Sequence, residues 1–188
     1  MPPEKPTKWS GIATMLGGVL WAMIWYMRLF VDLSDRAARR FHEGKYEWLL
    51  SIPCILFMAG LFAFHARQAN RTGQSGKAGF VLSLVALALM AVGVVFESGL
   101  LLLGVLALIL GLTAFGIATM RAKVWPSWSR PLPLLVALIL LLAPVLLFLV
   151  GRGTGAREVE LTLSSLFGLA WILLGYALWS DKTGQQVT

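Results

Sequence analysis

The chain has 188 residues, of which 58% are hydrophobic and only 13% are charged, and its formal net charge is +7. A soluble domain of this size has nearer half of its residues apolar and about a quarter charged, so the composition excludes an ordinary soluble globular protein. The apolar residues form long runs, and a run of roughly twenty such residues crosses a bilayer as a helix. We predict a single integral membrane domain over 1–188, an all-α bundle of six transmembrane helices with short loops at 12–30, 48–64, 78–96, 100–120, 132–150 and 161–179.

The first run, 12–30, follows Lys5 and Lys8, as the core of a signal peptide would. It is longer than the usual signal core, and no A-x-A-like cleavage site follows it. We therefore predict that it is an uncleaved membrane span.

Between the first two spans, an apolar stripe at helical spacing runs along Tyr26, Phe30, Leu33, Ala37 and Phe41. The spacing predicts an amphipathic extracytoplasmic segment. The other faces carry the densest polar cluster of the chain, and these candidates for an interaction surface are Arg36, Arg39, Arg40, His42 and Glu43. Alternating charges are typical of a solvated helix face, and we favour that interpretation over docking of a partner or of an anionic headgroup.

The sequence RTGQSGKAGF at 71–80 resembles the end of a phosphate-binding loop. Such a loop needs a glycine five residues before its Gly-Lys pair and a Ser or Thr directly after it. These positions hold Arg71 and Ala78. We predict a cytoplasmic turn in which the basic residues lie at the level of anionic headgroups.

Two pairs of similar segments share an offset of 51 residues: GLFAF at 60–64 with GLTAF at 111–115, and LVALAL at 84–89 with LVALIL at 135–140. The common offset indicates a duplicated helical hairpin in parallel orientation. Chance similarity between Leu-, Ala- and Val-rich spans is the alternative.

Small residues recur at spacings of three and four along the fourth span, and this predicted packing seam consists of Gly104, Ala107, Gly111, Ala114 and Ala118. In lipid, helices associate by close backbone approach across such faces. The sixth span has Gly168 and Gly175 seven residues apart. We predict contacts within the bundle, with a subunit interface as the alternative.

Six spans place both termini and the loops at 65–77 and 121–131 on one side of the membrane. That side carries nine Lys and Arg residues against two acids, whereas the other carries seven against seven. The excess of Lys and Arg predicts that both termini are cytoplasmic. Six tryptophans near span ends are typical of an interfacial belt, and they are Trp9, Trp25, Trp48, Trp125, Trp128 and Trp179.

The sequence offers no catalytic, cofactor-binding or metal-binding set of residues. His42 and His65 fall on opposite sides of the predicted membrane, so they cannot share one haem. The GRGTGA sequence at 151–156 fits the letters of a dinucleotide fingerprint, but it follows a membrane helix rather than a strand. We expect no cofactor, and the tryptophan belt argues against a nucleic-acid partner.

The segment at 60–93, GLFAFHARQANRTGQSGKAGFVLSLVALALMAVG, and the ending AWILLGYALWS at 170–180 resemble small bacterial membrane proteins. In those proteins a similar hairpin precedes a closing LGYALW helix. The resemblance implies a multi-pass protein of the bacterial inner membrane, and it implies no chemistry.

We expect a non-catalytic membrane protein that acts by association, as an accessory or assembly subunit of a membrane complex or as a homo-oligomer. The alternative is a small transporter or channel for an apolar or amphiphilic ligand, with a helix kinked at Pro144. A lipid-modifying enzyme is disfavoured by the lack of catalytic groups. It would require Arg39, His42 and Glu43 to converge with Glu97 or Glu158.

Overall fold

A computed structural model of the chain describes residues 4–31, 47–96, 99–150 and 154–180. Within these ranges all regular structure is helical, and no strand is present. A short 3₁₀ helix covers Glu47–Leu50. The six α-helices are α1 (Glu4–Val31), α2 (Ser51–Gln68), α3 (Gly73–Val95), α4 (Leu100–Ala122), α5 (Leu132–Val150) and α6 (Thr154–Ser180).

Five of these helices are long and apolar enough to cross a membrane, over Lys8–Met27, Trp48–Gln68, Gly73–Val95, Leu100–Ala122 and Val159–Ser180. The helix α5 contributes a shorter apolar stretch, Leu132–Leu146. The prediction of an all-helical protein is confirmed, and the five long helices are compatible with a multi-pass membrane protein. The amphipathic segment predicted before α2 lies outside the described residues.

The helices pack in chain order around the bundle. Each helix contacts the next one along the chain, and α1 closes the ring against α6. Thr14 of α1 lies opposite Gly60 of α2, and Gly17 lies opposite Phe57, so the two helices are antiparallel.

The closing contact between α1 and α6 is also antiparallel, because Gly11 lies against Gly175 and Gly18 lies against Gly168. The beginning of α1 and the end of α6 therefore share one end of the bundle. The end of α2 lies at that same end, together with the turn at 69–72.

Aromatic side chains from α2, α4 and α6 fill the centre of the ring. Phe57 stacks on Trp171 with ring centroids 4.2 Å apart, and Phe64 meets the ring of Phe115 edge-on at 6.0 Å. All four side chains are fully buried. Contacts between α2 and α6 bridge the ring. The centre is thus a packed core formed by three helices that run in the same direction.

The predicted 51-residue repeat relates α2 and α3 to α4 and α5. Leu61 and Leu112 are equivalent under this offset, and both are fully buried. Phe64 and Phe115 are also equivalent, and their rings are in contact. These equivalent environments are what a duplicated hairpin would produce, and the duplication itself stays a prediction.

Candidate functional site

The interaction surface predicted from the sequence lies outside the described residues. Its members, Arg36, Arg39, Arg40, His42 and Glu43, all fall between α1 and the 3₁₀ helix. Glu97 also lies outside the described residues. The convergence of these groups in one outer pocket therefore stays a hypothesis.

The small residues of α4 lie against α3. A Cβ atom built at Gly104 would be 2.9 Å from the carbonyl oxygen of Ala86, and one built at Gly111 would be 2.7 Å from the backbone nitrogen of Ser83. Such distances leave no room for a side chain. The two backbones approach this closely because both residues on α4 are glycines.

The rest of the seam continues the same interface toward the end of α4. The Cβ atoms of Ala114 and Ala118 lie 3.0 Å from the Cβ positions built at Gly79 and Gly76, respectively. Ala107 is half-buried and packs against the hydrophobic core. In the described bundle, the seam is a contact between two helices of one chain.

A second glycine interface joins α1 to α6. Cβ atoms built at Gly11 and Gly175 would lie 2.7 and 2.6 Å from the carbonyl oxygens of Gly175 and Gly11. Gly18 and Gly168 form an equivalent reciprocal pair, seven residues later in α1 and seven residues earlier in α6. In the sequence, Gly168 and Gly175 already indicate a packing face on α6. The same spacing between Gly11 and Gly18 was the signal that could have identified the partner helix.

The buried interior of the described bundle contains no acidic or basic side chain. Its buried polar residues are Thr14, Gln68, Thr72, Ser83, Thr119 and Ser129. No group of three or more His, Cys, Asp and Glu residues able to hold a metal ion occurs among the described residues. His65 is half-buried, and its ring stacks on Phe80 at 4.0 Å.

A buried hydrogen bond links the end of α2 to the end of α4. The side-chain amide of Gln68 donates to the hydroxyl oxygen of Thr119 at 2.8 Å, and this hydroxyl donates to the carbonyl oxygen of Phe115 at 2.8 Å. The amide oxygen of Gln68 is buried and has no hydrogen-bond partner in the described part of the chain. Since an unsatisfied buried polar atom carries a desolvation cost, this junction is a locally unfavourable feature of the bundle.

The loop between α4 and α5 folds onto the same end of the bundle. Trp125 stacks on Phe64 with centroids 4.2 Å apart, and the guanidinium of Arg67 lies 5.1 Å from the Trp125 ring centroid. Arg130 donates from Nε to the carbonyl oxygen of Trp125 at 2.6 Å. Trp125 is only 1% exposed. The interpretation of Trp125 as a lipid-facing anchor was therefore wrong, because the loop turns its ring into the core.

Exposed cations surround this end of the bundle. Arg71, Lys77, Arg121 and Lys123 are exposed. The stretches 65–77 and 121–131 contain no Asp or Glu. This basic end, defined by those four side chains, is the strongest local concentration of one charge sign that the described residues present.

Exposed aromatic residues lie at the same end. Trp128, Tyr176 and Trp179 form a chain of rings with centroid distances of 6.1 and 6.0 Å. Each is close to half exposed. Amphipathic rings in such positions are typical of the boundary between hydrocarbon and headgroups. The basic end therefore coincides with the expected level of one membrane surface.

Comparison of the chain with protein-family models, with curated proteins and with solved structures finds no match.

Proposed function

We propose that the protein is a non-catalytic membrane component that acts by association, as an accessory or assembly subunit of a larger complex or as a homo-oligomer. We place it in the bacterial plasma membrane with both termini in the cytoplasm. The observation that carries the proposal is that uncharged side chains fill the interior of the described bundle. Transport of ions or protons usually needs ionisable groups inside the spans, and the buried part of the described bundle has no acidic or basic side chain.

The alternative is a small transporter or channel for an apolar or amphiphilic ligand that uses a kink at Pro144. Pro144 lies inside α5, where its side chain is exposed on the outside of the bundle. The centre of the ring is occupied instead by large aromatic side chains such as Phe57 and Trp171. A packed centre offers no continuous path for a ligand, so these features favour association over transport.

Extraction from the native membrane in a mild detergent tests the proposal. We expect the protein to migrate as a particle larger than one chain, containing either other subunits or several identical copies. The mass of the protein component, measured by light scattering or native mass spectrometry, distinguishes these two forms. A particle that contains one chain in every mild detergent tried would overturn the association proposal.

The same experiment tests the role of the predicted extracytoplasmic segment between the first two spans, called the outer segment below. If Arg39 and Arg40 dock a partner, reversing both charges to Glu should reduce the yield of the larger particle. Reversal of Lys8, which is exposed near the beginning of α1 and on the other side of the membrane in the predicted topology, serves as the control and should leave the yield unchanged. An equal loss in both variants would remove the outer segment from the proposal.

The proposed orientation can be measured by labelling with an impermeant thiol reagent. The native Cys54 is free but buried, so it should contribute little background. Ser75 is exposed in the first turn of α3. A cysteine introduced there should react only after the cells are permeabilised. Labelling of intact cells would place the basic end outside and refute the orientation.

A further inference from the structure

We propose that the basic end of the bundle binds the headgroup of an anionic phospholipid at the first turn of α3. The site combines Arg71 and Lys77, which flank that turn, with Arg121 and Lys123 at the end of the neighbouring helix α4. The bound group is the phosphodiester of a lipid in the membrane leaflet at this end of the bundle. The inference is independent of whether the protein acts by association.

The register of α3 and α4 brings the cations of both helices to the same end of the bundle. The Cβ atom of Ala118 lies 3.0 Å from the Cβ position built at Gly76 in the first turn of α3. Arg121 follows Ala118 by three residues, so it lies about one turn further toward the end of α4. Arg71 precedes the same turn of α3, and both arginine side chains are exposed.

The first turn of α3 has unused hydrogen-bond donors. Its first helical bond runs from the N–H of Gly76 to the carbonyl oxygen of Thr72. The preceding N–H groups, those of Gly73, Gln74 and Ser75, have no acceptor within the described part of the chain. N–H groups in this position carry partial positive charge and are suited to an anion.

Thr72 occupies the N-cap position but does not cap the helix. Its backbone is in the helical region, with φ −88° and ψ −6°, and its hydroxyl makes no capping hydrogen bond. The side chain is only 5% exposed and lies against Gly76, and its oxygen has no hydrogen-bond partner. A threonine at this position normally accepts a hydrogen bond from the first turn. Here the turn keeps three backbone donors and one hydroxyl that the protein does not satisfy.

Space for a headgroup exists beside these donors. A Cβ atom built at Gly73 would meet no atom within 4 Å. The side chains of Gln74 and Ser75 are exposed. The backbone N–H groups of Gly73, Gln74 and Ser75 can therefore be reached from outside the bundle, whereas the hydroxyl of Thr72 is buried behind them.

The location of the site favours a lipid over a soluble anion. The exposed rings of Trp128, Tyr176 and Trp179 lie at the same end, and such rings are typical of the headgroup level. Exposed Lys and Arg residues near that level attract anionic lipids. No acidic residue occurs in 65–77 or 121–131 to compete for them.

The test compares phosphatidylglycerol with phosphatidylcholine of identical acyl chains, added to the purified full-length protein in detergent. Bound lipid is counted by native mass spectrometry. We expect phosphatidylglycerol to bind more tightly than phosphatidylcholine. The paired substitution Arg71→Gln and Lys77→Gln should weaken phosphatidylglycerol binding about 30-fold, since each cation near a membrane surface contributes a factor of about five.

Lys8→Gln is the matched control, because Lys8 is an exposed cation at the same end but on α1, which does not neighbour α3 in the ring. It should change binding less than twofold. Circular dichroism of each variant without lipid checks the fold, and Arg71→Gln alone replaces the pair if the pair fails to fold.

Three results would overturn the proposal. Equal affinity for the two lipids would show that the headgroup charge is not recognised. A loss in Lys8→Gln as large as in Arg71→Gln alone would show diffuse attraction to the whole basic end. Binding of inorganic phosphate as tight as that of phosphatidylglycerol would assign the site to a free anion rather than to a lipid.

Discussion

Replacing Gly18 with alanine should force α1 and α6 apart. The added Cβ atom would lie 2.5 Å from the carbonyl oxygen of Gly168 and 2.7 Å from Cγ1 of Ile172. Ordinary contact begins at 3.4 Å, so the closest pair needs about 0.9 Å of additional separation. The oxygen belongs to the helix backbone, and a local side-chain rotation therefore cannot relieve the contact.

The expected cost follows from two opposing terms. Overpacking of a well-packed interface costs about 1–3 kcal/mol. Alanine in place of glycine within a helix returns about 0.5–1 kcal/mol. Helices in lipid have no hydrophobic drive that would restore lost contacts. We expect Gly18→Ala to lower the free energy of unfolding by about 1–2 kcal/mol.

The assay is reversible unfolding in mixed micelles with increasing dodecyl sulfate, followed by far-ultraviolet circular dichroism. Val19→Leu is the control, because it enlarges a neighbour of Gly18 whose side chain is 44% exposed. It should change stability by less than about 0.5 kcal/mol. A Gly18→Ala protein as stable as the original would refute the close contact between the two helices.

A double-mutant cycle sharpens the test. A Cβ atom at Gly168 would lie 2.7 Å from the carbonyl oxygen of Gly18, so the two substitutions strain the same contact. Once the helices have separated for one alanine, the second should cost at least about 0.5 kcal/mol less than it does alone. Gly111→Ala lies in the interface between α3 and α4, and its cost should add to that of Gly18→Ala. Simple additivity in both pairs would contradict the reciprocal packing.

Three further substitutions probe the end of the bundle that carries the basic residues. Lys123→Gly should raise the free energy of unfolding by about 1 kcal/mol, because Lys123 ends α4 at φ 53° and glycine adopts this conformation freely. Thermal unfolding measures the change, and no gain would contradict the left-handed cap. Thr119→Val should lower the free energy of unfolding by about 1–3 kcal/mol, because it leaves the buried amide of Gln68 without its acceptor. Gln68→Met should change it by no more than about 1 kcal/mol, since it removes both the donor and the unsatisfied oxygen. If chemical unfolding gave the two variants the same loss, the hydrogen bond would not be the stabilising feature. Trp125→Ala should lower the free energy of unfolding by about 3–5 kcal/mol, because its buried stack on Phe64 is lost. It should also speed proteolysis within 123–131, and unchanged protease resistance would show that the ring does not hold the loop.

Much of the helical architecture could be predicted from the sequence, because apolar runs of membrane length are a local property of the chain. All six predicted spans correspond to helices, although the described apolar stretch of α5 is shorter than the other five. The small residues of α4 were equally visible, since their spacing depends on one helix alone. Local patterns of this kind need no knowledge of which helices are neighbours.

The tertiary structure decided the features that depend on helix partners. Only the ring order brings Gly11 and Gly18 against α6, and only the register of α2 with α4 joins Gln68 to Thr119. Trp125 looked like a lipid anchor because it follows a span, yet the loop buries it. The sequence by itself determined the helices and their apolar character, since these follow from residues close together in the chain. The packed centre and the open first turn of α3 depend on contacts between distant segments, and the sequence pattern does not specify such contacts.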